Sequence, residues 1–84
     1  MTIDLADSIG LLGSTVFIAA FAYANYADPF DKVLFNAANL FGAILLLVSL
    51  SVHFNLAAAA LEVAWALIAS IGLIAALRAR RRAQ

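Results

Sequence analysis

The chain has no cysteine. That excludes disulfides, thiolate nucleophiles and cysteine-bound zinc, and it leaves the redox compartment unmarked. It has one proline, Pro29, so a long helical pattern meets a single strong point of interruption. Charge is scarce and balanced, five acids against five bases in 84 residues. A net charge of zero argues against a nucleic-acid partner or a bulk acidic one. The one histidine, His53, has no second ligand at a metal-binding spacing, so it reads as a turn residue at the rim and no metal is expected. No nucleophile–base pair and no cofactor motif is present either, so neither an enzyme nor a bound cofactor is expected. The N-terminus lacks the basic region and small-residue cleavage site of a signal peptide and carries Asp4 and Asp7 instead, so the first apolar segment is expected to be retained.

What the sequence does have is apolar surface. Hydrophobic residues make up 67% of it, far above the roughly 45–50% of ordinary soluble domains. A soluble domain this small has too much surface to hide that composition. Three runs are long enough to cross a bilayer, at about 9–27, 32–54 and 56–77, followed by a basic tail over 78–84. The expected fold is all-α, a bundle of three transmembrane helices forming one integral membrane domain over 1–84. The third run, Asn55 to Leu77, looks like the span against which the other two pack. Asp28 followed by Pro29 is a helix-start signal, and it predicts that the second helix begins at Pro29. Asn55 is the natural cap for the third, which confines the second connection to about 53–55 and makes the neighbours antiparallel.

Lysine and arginine occur in two places, Lys32 in the first connection and Arg78, Arg80, Arg81 and Arg82 in the tail. In a three-span protein both lie on one side. The positive-inside rule places them in the cytoplasm and the N-terminus outside.

The polar residues segregate by face. On the first span Gly10, Ser14, Ile18, Phe21 and Asn25 share a side at helical spacing. On the second, Asn36, Asn39, Gly42, Ala43, Leu46, Leu50 and His53 do so, with Ser49 at the edge. On the third, Ala58, Glu62, Trp65, Ala66, Ala69 and Ala76 line up opposite Leu67, Ile71 and Ile74. Three polar or small faces predict inward packing with the bulky sides in lipid, and they favour oligomerisation. Counting along the helices places Ser14, Thr15 and Ser49 within one turn of the level of Glu62 in an outer polar layer. Asn25, Asn36, Asn39 and Ser70 fall in an inner one.

Glu62 is the sharpest candidate, because an acid inside a span costs about 2.5–3.5 kcal/mol on insertion scales and marks a pathway, a relay or a pair. Its bland reading is a hydrogen bond to Ser14, Ser49 or backbone that sets helix register. Trp65 follows one turn later and packs beside it, as a core or interface aromatic or as a stacking platform. Asn36 and Asn39 read as interhelical glue, worth about 0.6 kcal/mol per bond on average, or as the lining of a path. The candidate binding residues are therefore Glu62, Trp65, Asn39, Asn36, Ser14, Ser49 and His53. Tyr23, Tyr26, Phe30 and Phe35 form an aromatic belt at the inner interface. Ala38–Gly42, Ala20–Ala24 and Ala60–Ala64 are small-xxx-small pairs that permit close contact.

The pattern Asn39-Leu40-x-Gly42-Ala43, then Phe54-Asn55, Leu61-Glu62-x-x-Trp65 and Gly72, resembles an uncharacterised family of small bacterial three-helix inner-membrane proteins. The likeness spans the second and third helices and implies architecture and location, with no activity attached. The chain departs from better-known small membrane families. It lacks the Pro-Gln pair of the three-span sugar transporters and the glycine repeat of proton-ring subunits. Its glutamate lies in the last of three spans, whereas small multidrug exporters carry theirs in the first of four. The expectation is an oligomeric structural or accessory module, or a small subunit of a membrane complex. A transporter or channel protomer with Glu62 as the titrating group is the other.

Overall fold

The structure, a computed structural model, describes residues 4–83. It is all-helical among those residues: α1 spans Leu5–Tyr26, α2 Lys32–Leu50 and α3 Leu56–Ala83. All three are long and apolar enough to cross a membrane. The molecule measures 50 × 23 × 18 Å, and its long axis exceeds the roughly 30 Å hydrocarbon core of a bilayer.

Each helix starts on a side-chain cap. Asp4 accepts from the Asp7 N–H at 2.8 Å, and Asp7 returns a carboxylate oxygen to the Asp4 N–H at 3.3 Å, a reciprocal capping box. The acids thus sit at the positive end of α1, as expected. Helix α2 begins later than Pro29. Asp31, not Asp28, is its N-cap, because the Asp31 carboxylate accepts from the Val33 and Leu34 N–H groups at 2.9 and 3.2 Å. Residues 27–31 form the connection, closed by the Tyr23 hydroxyl, which accepts from the Asp31 N–H, and by Phe30 packed edge-on to Tyr23 and Phe35. Asn55 caps α3 as expected, its Oδ1 accepting from the Ala58 N–H at 3.1 Å. The second connection is longer than the three residues expected: α2 ends at Leu50 and residues 51–55 make the turn.

The organising helix is α2, not α3. It packs against both neighbours, whereas the backbones of α1 and α3 do not approach each other. Glycines set the α1–α2 distance. A Cβ at Gly13 would lie 2.9 Å from the Gly42 carbonyl oxygen, and one at Gly42 would strike the Phe17 ring at 2.6 Å. The two helices therefore touch backbone to backbone. On the other flank a Cβ at Gly72 would collide with the Asn36 carboxamide, which brings α3 down onto α2.

The packing is inside out relative to a soluble protein. The buried residues are Ala6, Gly10, Gly13 and Ala20 on α1, Asn39, Gly42 and Ala43 on α2, and Glu62 and Ala69 on α3. The large apolar side chains, among them Leu11, Phe41, Leu67 and Ile71, point outward. Such a pattern fits helices associating in lipid, where close contact between small residues replaces the hydrophobic effect. The expected inward face of α1 is rotated, however. Ile18 and Phe21 are 71% and 70% exposed; the contact side runs through Gly10, Gly13 and Ala20. The pair Ala60–Ala64 is exposed.

At the two ends, ion pairs join distant parts of the chain. Arg80 donates to Asp31 at 2.8 Å, which places the basic tail beside Lys32 at the same end of the molecule. The Leu34 N–H, the Arg80 guanidinium and the Val33 N–H together hold the Asp31 carboxyl below its ordinary range. At the opposite end His53 Nε2 lies 2.9 Å from Asp4 and 3.7 Å from Asp7.

Candidate functional site

Because the backbones of α1 and α3 flank α2 without approaching each other, a cleft opens between them over one face of α2. Its volume is about 440 Å³. Leu46, Ser49 and Leu50 supply the α2 side, Phe17 faces from α1, and Ala58, Leu61, Glu62 and Trp65 line the α3 side. The Phe17 and Trp65 rings meet across the cleft with centroids 5.4 Å apart. The Phe17 ring can take that position because Gly42 beneath it has no side chain.

Glu62 is 6% exposed and lies about two turns into α3. Its Oε2 is buried and has no hydrogen-bond partner among the described residues. Buried polar atoms are nearly always paired, and an orphan on a carboxyl group calls for an explanation. The expected outer polar layer is present in part. Ser49 lines the cleft with Glu62; Ser14, half-buried on α1, does not line it. Neither serine hydrogen-bonds Glu62 among the described residues. The Ser49 side chain instead packs against Gly10, its Oγ 2.7 Å from where a Cβ would stand.

Trp65 also forms one wall of a second cleft, of about 130 Å³, between α2 and α3, with Phe35, Asn36, Asn39, Ile68 and Ala69 around it. Here the indole Nε1 donates to Asn39 Oδ1 at 2.9 Å, while Asn39 Nδ2 donates to the Phe35 carbonyl at 2.8 Å. Buried Asn39 is thereby held to its own helix by one end and to α3 by the other. Asn36 donates to the Lys32 carbonyl at 2.8 Å and packs over Gly72, so it also sits at the α2–α3 seam.

Of the seven residues expected to form a site, Glu62, Trp65 and Ser49 come together in the larger cleft, and Asn39 and Asn36 join Trp65 in the smaller. Ser14 stands apart from both. His53 lies in the exposed turn at the end of the molecule, where it meets Asp4 and Asp7. No local spacing reveals that meeting, since Asp4 and His53 are 49 residues apart. Phe17 was also missed. Its signal is only its place one turn from Gly13 on α1, opposite a glycine on α2.

A family model matches residues 6–81 of the chain. The chain belongs to that family, whose function is unknown. The match covers all but the extreme ends, including both clefts. No curated protein and no solved structure matches the chain.

Proposed function

We propose that this is a small integral protein of the bacterial inner membrane that works as an oligomeric structural or accessory module and carries no catalytic chemistry. Its N-terminus and the 51–55 turn face outward and its arginine tail faces the cytoplasm, following the lysine and arginine placement. Its partners are lipid and further copies of itself, or the larger complex those copies build, and not nucleic acid. The observation that carries the reading is the orphaned Glu62 Oε2 in a cleft that α1 and α3 leave open. A polar group in lipid is stabilised by a partner, and one from a neighbouring copy completes what this chain leaves undone. Helix α3 is also the least covered of the three, which leaves most of its surface free for contact.

The test is the mass of the protein in lipid nanodiscs and mild detergent. The expected result is a discrete oligomer that Glu62→Leu weakens at least tenfold, while Glu62→Gln, which keeps a hydrogen-bonding head, retains most of it. A monomer at every lipid ratio overturns the reading.

The same carboxyl favours a second reading, transport coupled to a proton at Glu62, because it lines an open cleft beside two aromatic rings. Under it, Glu62→Gln abolishes a pH-dependent flux in vesicles and leaves the oligomer intact.

A further inference from the structure

We propose that Asp4, Asp7 and His53 form a binding site for a divalent transition-metal ion of the zinc type at the N-terminal end of α1. The capping box is what prepares it. Asp4 uses Oδ1 to accept from the Asp7 N–H, and Asp7 uses Oδ2 to accept from the Asp4 N–H. Each carboxylate is thus fixed by one oxygen and presents the other. Those remaining oxygens, Asp4 Oδ2 and Asp7 Oδ1, both face His53 Nε2, at 2.9 and 3.7 Å. All three ligand atoms lie within 4.8 Å of one another.

One imidazole nitrogen carries at most one hydrogen, so it cannot satisfy both oxygens; a cation among the three engages all of them. Zinc bonds to nitrogen and oxygen ligands at about 2.0–2.2 Å, which sets ligand–ligand edges of about 3.3–3.6 Å in a tetrahedron. The two observed separations straddle that range, so small side-chain rotations complete the geometry. One imidazole and two carboxylates, without a thiolate, suit zinc and its borderline neighbours. The capping hydrogen bonds orient the carboxylates as outer-shell partners do in metal sites. The side chains are about half exposed, so the ion enters from water and keeps a water ligand. Its structural effect is to staple the start of α1 to the α2–α3 turn, at the end where α1 and α3 otherwise lack contact. The inference does not depend on the function proposed above.

The test uses the tag-free full chain in nanodiscs, stripped with chelator and titrated with zinc ion at neutral pH by calorimetry. The expected result is one equivalent per chain and a higher unfolding midpoint on loading. Asp4→Asn keeps a good helix cap and removes the charged ligand; it and His53→Ala should each weaken binding at least about tenfold. Asp31→Asn, at the far end, should bind as the parent does. Absence of saturable uptake up to about 1 mM zinc overturns the proposal. So does uptake that both ligand variants retain. Should His53→Ala unfold, Asp4→Asn decides.

Discussion

At the scale of single residues, the most determinate contact is the one between Trp65 and Asn39. The indole donates to the carboxamide oxygen of Asn39, a residue only 6% exposed. Trp65→Phe keeps an aromatic ring against Phe17 and removes the donor together with part of the indole's packing. The hydrogen bond's share of the cost is predicted at about 0.6–1.7 kcal/mol, from the average to the maximum measured for such bonds between membrane helices. Reversible unfolding in mixed micelles measures it. A double-mutant cycle with Asn39→Ala should return most of that cost as coupling, since each change removes the same bond. Additive effects would show that the indole nitrogen finds other partners. Glu62 and Trp65 are legible in sequence because an acid and an indole are rare inside an apolar run. Their partners are not, because asparagine, serine and glycine are common in membrane helices and only the register between helices selects one of each. Asn25 and Thr15 illustrate the ambiguity. Both fall in the polar layers by depth, yet each bonds a carbonyl one turn back on its own helix and needs no neighbour.

At the scale of helices, small residues set the packing and polar ones follow. The rotation of α1 away from its expected face has this cause. A face chosen by polarity runs through Ser14 and Asn25, whereas the real contact runs through Gly10, Gly13 and Ala20, where backbones can meet. Helix number, order and approximate ends are legible from hydrophobic length. The caps at Asp4 and Asn55 are legible from residue type. The cap at Asp31 is masked by the stronger-looking Asp28-Pro29 signal. That α2 lies in the middle shows in the glycine contacts, since Gly10 and Gly13 of α1 and Gly72 of α3 all face α2, a pairing that composition alone does not reveal. The glycines therefore make a graded prediction. Gly13→Ala puts a methyl against the Gly42 carbonyl, a backbone atom that can move only with its helix. It should cost about 1–3 kcal/mol, as overpacking does. Gly10→Ala meets the Ser49 hydroxyl at 2.7 Å, the tip of a rotatable side chain, and the Ser49 Cβ only at 3.2 Å, and should cost less. Unfolding midpoints for the pair test the order, and Gly10→Ala as the more harmful change would refute the account of the α1–α2 contact.

At the scale of the whole molecule, the two ends differ in charge, and the difference predicts orientation. One end holds Lys32 and the arginines, with Arg80 on Asp31; the other holds Asp4, Asp7 and His53. The proposed placement sends the basic end to the cytoplasm, and the absence of cysteine makes the placement readable without background labelling. Ser51→Cys lies in the exposed turn and Ala83→Cys at the end of α3. A membrane-impermeant maleimide should label the first in intact cells whose outer membrane has been permeabilised, and the second only after lysis. Neutralising Arg78, Arg80, Arg81 and Arg82 together leaves only Lys32 to retain that end, so part of the population should then label in the reverse sense. If the parent labels at Ala83→Cys from outside, the orientation is inverted. The metal site would then face the cytoplasm, where zinc ion is kept scarce, and the proposed staple would lose its supply while its geometry stayed the same.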